Sequence, residues 1–202
     1  MKTIILPGFS AHNKEWAEAV AEKLQVKHEV RPIFWEHWTD PKKSFNPQKK
    51  AQGVIDLIGD GYANLIAKSV GTLVVALVLK AIPQKIKKVI LCGIPTISGE
   101  RLKIFQEAFV HFPSENVLVF QNTRDPFASF AEVKEFMSKV NPKIKVIKKG
   151  SNKVLIGGDV IVERGDKIEI PLKKMESFKD YIQIVGPITS LLIAAKAIGI
   201  IK

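Results

Sequence analysis

The sequence predicts an α/β fold in which a doubly wound, mainly parallel sheet is covered by helices on both faces. Two observations carry this prediction. Short apolar runs alternate with amphipathic segments of helical period along residues 1–150, and most of those runs contain three or four consecutive apolar residues. Strands that are apolar on both sides are typical of parallel strands buried between two helical layers.

The elements follow one another in a regular order. The first apolar run ends at Pro7-Gly8, and the next segment places Trp16, Val20 and Leu24 at helical spacing. The second helix has a proline in its first turn, which is a favoured position for proline. The alternation predicts strands at 2–6, 28–34, 63–67, 88–92, 116–120 and 143–147, and helices at 13–24, 47–58, 70–81, 100–109 and 130–140.

The pattern changes after Gly150. Residues 153–170 alternate β-branched and polar side chains around Gly-Gly-Asp and Arg-Gly-Asp turn signals, which predicts a β-hairpin. We therefore expect an α/β domain at residues 1–152 and a C-terminal tail at residues 153–202.

The tail ends in an apolar run at residues 181–201, whose only charged residue is Lys196. A helix of this length can cross the hydrocarbon core of a bilayer, which needs about 20 apolar residues. Gly186-Pro187 interrupts the run, so a buried or interfacial helix is the alternative. The sequence leaves both interpretations open.

Composition narrows the classes of function. The chain has 31 Lys and Arg against 20 Asp and Glu, a net charge of +11 and a pI of about 9.7. The lysines are spread in pairs near predicted element ends, without a zinc finger or an RNA-binding motif, so solvated lysines are expected rather than a nucleic-acid partner. A lone cysteine, Cys92, excludes an internal disulfide. No signal peptide is recognisable, so a cytoplasmic location is expected, with membrane association through residues 181–201 as an addition.

The most informative motif is Ala67-Lys68-Ser69-Val70-Gly71. A short apolar strand leads into it and an apolar helix follows at once, which is the arrangement of a nucleophile elbow. Such a turn lifts the serine hydroxyl above the sheet edge, and small residues on both sides prevent clashes. The alternative is a serine that only caps the helix.

Two further loops fit the same chemistry. Pro7-Gly8-Phe9 ends the first strand, where a turn can direct a backbone N–H toward the point that the amide after Ser69 also faces. Phe9 and Val70 are then the expected oxyanion donors. Asp125 lies in the loop after a late strand, where it can orient a catalytic base; the alternative for both loops is an ordinary turn.

These residues resemble the α/β-hydrolase superfamily, in particular its small lidless serine hydrolases of the retinoblastoma-binding type. The resemblance covers residues 1–152 and implies hydrolysis of a small ester or acyl substrate without a metal or cofactor. It implies that Ser69 is the nucleophile, Asp125 the acid member, and Phe9 and Val70 the oxyanion hole. The matching residues are Ile5-Leu6-Pro7-Gly8, His12, Trp16, Ala67-Lys68-Ser69-Val70-Gly71 and Thr123-Arg124-Asp125-Pro126-Phe127.

The sequence departs from this family at the general base. Members of the family carry a histidine after the last strand, whereas this chain has Lys153 at that position and no histidine after His111. Lys153 and His12 are the candidate substitutes. A weakened hydrolase and a non-catalytic binding module, associated with a membrane through its tail, therefore both remain open.

Two remaining segments carry weaker expectations. Residues 154–202 resemble the C-terminal end of polysaccharide export proteins, which implies a junction of unrelated pieces; a lineage-specific hairpin and helix is the alternative. Trp35, Trp38 and Phe45 predict an aromatic loop over a hydrophobic pocket, or simply core packing.

Overall fold

The sheet formed by the described residues has six strands, all parallel. A computed structural model describes residues 1–24, 26–95, 98–149 and 200. In chain order the strands are β1 (Lys2–Leu6), β2 (Glu29–Pro32), β3 (Ala63–Lys68), β4 (Ile86–Cys92), β5 (Val117–Asn122) and β6 (Lys145–Lys149). Their order across the sheet is β2-β1-β3-β4-β5-β6.

Helices cover both faces of the sheet. The described residues contain α1 (Asn13–Lys23), α2 (Pro47–Ile58), α3 (Gly71–Ala81), α4 (Gly99–Phe109) and α5 (Phe130–Val140). Apolar side chains of α2, α3, α4 and α5 form one large buried cluster with one face of the sheet. The opposite face packs against α1 and against Ile200.

Three of the five α-helices in the described residues begin where the sequence supplies a side-chain cap. Asn46, Ser98 and Ser129 each accept a hydrogen bond at their side chain from a backbone N–H in the first turn of α2, α4 and α5. Each bond satisfies one of the donors that a helix start leaves free. In contrast, α3 has no side-chain cap, and seven of its residues are buried. Its position therefore depends on packing against the sheet.

The structure confirms the predicted α/β fold with a parallel sheet and two helical layers. The strand predicted at 28–34 is shorter because it forms the edge of the sheet, and a 3-10 turn at Glu36–Trp38 follows it. The last strand begins two residues later than predicted, at Lys145. The predicted hairpin and nearly all of the apolar run at residues 181–201 lie outside the described residues. Among the residues that are described, no helix has the length and hydropathy to cross a membrane.

Candidate active site

The candidate site lies where the strand order of the sheet reverses. β1 pairs with β2 on one side and with β3 on the other, so the chain leaves β1 in one direction and returns past it to form β3. The loops that follow β1 and β3 both lie at the carboxyl edge of the sheet at this point, which is where open α/β sheets bind ligands in a crevice. Pro7-Gly8-Phe9 and Ser69 stand at this edge.

Ser69 forms a sharp turn between β3 and α3. Its φ is 54°, and among the described residues it is the only non-glycine with a positive φ. Such a conformation costs of order 1–3 kcal/mol and persists only where its surroundings fix it. The Ser69 N–H donates to the Cys92 carbonyl at 2.9 Å, and the Ser69 carbonyl accepts from the N–H and hydroxyl of Thr72 at 2.9 and 2.7 Å. Ser69 therefore forms a sharp strand-to-helix turn with a left-handed backbone.

The start of α3 lies directly against the end of β1. A Cβ added at Gly71 would collide with the Leu6 carbonyl and would lie 2.9 Å from the Pro7 carbonyl oxygen. This close approach explains why the second small position of the elbow is a glycine. It also places the Ser69 turn beside the loop that contains Phe9.

Asp125 lies on the other side of the elbow. It follows β5, and its Oδ2 would lie 3.7 Å from a Cβ at Gly93, the residue after β4. Its Oδ1 accepts from the Phe127 N–H at 3.0 Å. The carbonyl of Cys92, the last residue of β4, accepts the Ser69 N–H. The end of β4 and Gly93 therefore lie between Ser69 and Asp125.

Sequence reasoning missed Gln121, which supports the loop after β5 that contains Asp125. This side chain is fully buried; its oxygen accepts from the Ile94 N–H at 2.8 Å, and its amide donates to the Ala128 carbonyl at 2.6 Å. It thereby ties the loop after β4 to the loop that contains Asp125. A glutamine at the end of an otherwise apolar strand was the available signal.

Sequence reasoning also missed how the loop after β1 is held. The Trp35 indole donates to the Pro7 and Gly8 carbonyls at 3.2 and 3.0 Å. His37 Nε2 and the Trp38 indole lie 2.8 and 2.6 Å from the Phe9 carbonyl oxygen. We call Trp35, His37 and Trp38 the aromatic clamp. Of the two interpretations of the aromatic segment, core packing holds for Trp35, which is 2% exposed.

The two candidate oxyanion donors are the Phe9 and Val70 N–H groups. Within the described part of the chain, neither the Phe9 N–H nor the Val70 N–H has a hydrogen-bond acceptor. Val70 immediately precedes the first residue of α3, so its N–H also lies at the positive end of the helix dipole. Both groups are therefore available to an oxyanion.

The four histidines divide between the two edges of the sheet. His28 bonds to the Thr3 hydroxyl near the start of β1 at 2.8 Å, and its burial lowers the pKa of the imidazole below the usual 6.5. His111 precedes β5 and also lies at this amino edge. His12 and His37 lie at the carboxyl edge, and no hydrogen bond joins either ring to Ser69. Lys153 and the loop after β6 lie outside the described residues.

The part of the chain that the structure covers contains no set of side chains that could bind a metal ion. No three side chains among its His, Cys, Asp and Glu residues are grouped closely enough to hold an ion. The candidate chemistry of the described residues therefore rests on a hydroxyl, a carboxylate and backbone amides.

A parallel strand order of 2-1-3-4-5-6 with a sharp serine turn after the third strand matches the α/β-hydrolase fold. No protein-family model and no curated protein matches the sequence. The structure is similar to mouse alpha/beta hydrolase domain-containing protein 10, with a TM-score of 0.52 and 15% identity over 73% of this chain and 79% of that one. It is also similar to a cold-adapted esterase from an Arctic intertidal metagenomic library, solved with zinc bound, with a TM-score of 0.52 and 16% identity over 73% of this chain and 70% of the esterase. A YdeN-like hydrolase from Pectobacterium atrosepticum has a TM-score of 0.51 and 16% identity over 73% and 75%. These similarities show the fold.

Proposed function

We propose that this protein is a serine hydrolase that acts on small ester or acyl substrates, in the manner of the small lidless enzymes that its sequence resembles. The observation that carries the proposal is the left-handed backbone of Ser69, at a strand-to-helix turn beside the crevice. Strained residues of this kind are concentrated at functional sites. The esterase and hydrolases of similar fold support the same class of reaction.

The proposed reaction has two steps. The Ser69 hydroxyl loses its proton to a base and attacks the acyl carbon, and the resulting oxyanion accepts hydrogen bonds from the Phe9 and Val70 N–H groups. The alcohol then leaves with a proton. Water hydrolyses the acyl-serine by the same route, while Asp125 orients the base.

The base is the weakest member of the proposed triad. By the family resemblance it belongs in the loop after β6, where Lys153 stands. Lys153 and His12 are the proposed substitutes. A lysine must lose its proton before it can act as a base, so we expect turnover well below that of a complete triad. Sites that lack a triad member retain roughly 10³- to 10⁴-fold catalysis over water.

Turnover of p-nitrophenyl acetate by the full chain tests this proposal. We expect Ser69→Ala to lower the rate to the residual that the oxyanion hole and binding supply, and Lys153→His to raise it by about tenfold or more, because a positioned base contributes roughly 10²- to 10⁴-fold. His12→Gln should lower the rate only if His12 is the substitute base. Equal rates for wild type and Ser69→Ala would refute a serine hydrolase. An unchanged rate in Lys153→His would show that residue 153 does not belong to the triad loop.

The second candidate function is a non-catalytic binding module on the same fold. The absence of histidine after His111 favours it, because the position expected for the base holds no imidazole. In that case an ester analogue binds in the crevice, and neither Ser69→Ala nor Lys153→His changes the rate of hydrolysis.

A further inference from the structure

The loop that carries one oxyanion donor is held by three side-chain N–H groups from one short segment. Three successive carbonyls, those of Pro7, Gly8 and Phe9, accept from the aromatic clamp. A carbonyl oxygen only accepts, so His37 Nε2 carries the proton in its bond to Phe9. The clamp therefore fixes three peptide units in succession.

Fixing a carbonyl also fixes the N–H of the same peptide. The peptide unit is planar, and in the trans form its C=O and N–H point in opposite directions. No described peptide bond is cis. The bond from Trp35 to the Gly8 carbonyl therefore sets the direction of the Phe9 N–H, and the bonds to the Phe9 carbonyl set that of the Ser10 N–H.

The clamp is itself anchored in the protein. Trp35 belongs to the large buried cluster and packs edge-on against Phe45, with ring centroids 5.3 Å apart. Glu36, between the clamp residues, is bound by Lys50 of α2 at 3.1 Å. The Phe9 ring stacks on His37 with centroids 4.5 Å apart. The donors thus have little freedom to move away from the loop.

We propose that the aromatic clamp is the positioning device of the oxyanion hole, and that Trp35 contributes most. This inference rests on the proposed function. Trp35 is the only clamp residue bonded to the carbonyl that shares a peptide with the Phe9 N–H. His37 and Trp38 act on the same acceptor, the Phe9 carbonyl, so either can replace the other.

The decisive variant is Trp35→Phe, which keeps a buried aromatic ring and removes the indole N–H. If the Phe9 N–H loses its fixed direction, oxyanion binding weakens in the transition state while substrate binding changes little. We expect kcat for p-nitrophenyl acetate to fall about tenfold or more with KM within about twofold, since losing an oxyanion donor outright costs roughly 10²- to 10³-fold. Trp16→Phe is the matched control, because its indole is not part of the clamp.

The shared acceptor gives a second, independent expectation. His37→Phe keeps the stack on Phe9, and Trp38→Phe keeps an aromatic ring at that position, so each single variant should lower kcat less than about threefold. The double variant leaves the Phe9 carbonyl without either donor. Its kcat should fall by clearly more than the product of the two single fold-changes. A fall equal to that product would contradict the redundancy of His37 and Trp38.

A measurement that does not need catalysis separates failure of this inference from failure of the proposed function. Backbone ¹⁵N order parameters of Gly8, Phe9 and Ser10 should be about 0.85 in the wild type and fall towards 0.6 in Trp35→Phe. Equal order parameters, or a kcat like that of Trp16→Phe, would overturn the inference. Wild-type protein with a rigid loop but no Ser69-dependent turnover would instead refute the proposed function, and the role in oxyanion binding with it.

Discussion

At the scale of single residues, the candidate site depends on side chains that bond to backbone atoms. Gln121 is the clearest case, because it is fully buried and bridges the Ile94 N–H and the Ala128 carbonyl. Both partners belong to loops at the carboxyl edge, on either side of Asp125. The position of the acid therefore depends on a residue that takes no part in the proposed chemistry.

We predict that Gln121→Met lowers the free energy of unfolding and slows ester turnover. The methionine fills a similar volume but leaves a buried N–H and a buried carbonyl without partners, and each costs about 1–3 kcal/mol. Urea unfolding should show the lower stability, and ester turnover should fall as Asp125 loses its support. Gln52→Met, on the exposed surface of α2, is the control. Equal unfolding midpoints for the two variants would argue against this role.

The residues of the site differ in how well the sequence reveals them. Ser69 and Gly71 are recognisable because the elbow demands a small residue at fixed spacing. Trp35 and Gln121 are not, because their partners are backbone carbonyls and amides, which carry no sequence signature. His37 is equally hard to recognise, because its bond to the Phe9 carbonyl spans 28 positions along the chain.

At the scale of elements, the junction between β3 and α3 holds the site together. Helix α3 begins against the last peptides of β1, and Gly71 is the residue that permits this contact. A side chain there would push the helix away from the oxyanion loop. The elbow and the loop after β1 therefore share one tightly packed contact.

We predict that Gly71→Ala destabilises the protein by about 1–3 kcal/mol, the usual cost of overpacking. It should also reduce turnover, because Val70 and Phe9 would no longer face the same point. Gly53→Ala in α2 is the matched control, since a Cβ there meets nothing within 4 Å. That change should stabilise by about 0.5–1 kcal/mol through the helix propensity of alanine. Thermal unfolding measures the change in stability of both variants. A change of the same sign in both would contradict the tight contact of Gly71 with the end of β1.

Most elements could be predicted because their burial follows simple patterns. β3 is buried on both faces and is apolar at four of its six positions, whereas the edge strand β2 alternates between half-buried and exposed residues and its ends are hard to locate. The 3-10 turn at Glu36–Trp38 has no periodic pattern. Its conformation depends on tertiary bonds to the loop after β1, which local sequence does not encode.

At the scale of the whole molecule, the order of the strands creates the site. The reversal between β1 and β3 brings together two loops that are 60 residues apart, at Phe9 and Ser69. The face of the sheet opposite α2–α5 packs against α1 and also against Ile200, which is 6% exposed. Ile200 therefore contacts the α/β domain, while the division at residue 152 stays a prediction.

The central claim is that Ser69 is an activated nucleophile, and covalent labelling tests it most directly. The full chain is incubated with a fluorophosphonate, and intact-mass and peptide spectra locate the adduct formed when the serine oxygen displaces fluoride. We expect one adduct per chain, on Ser69, absent from Ser69→Ala and formed faster in Lys153→His. Folded wild-type protein that gains no adduct, or an adduct that persists in Ser69→Ala, would contradict the claim.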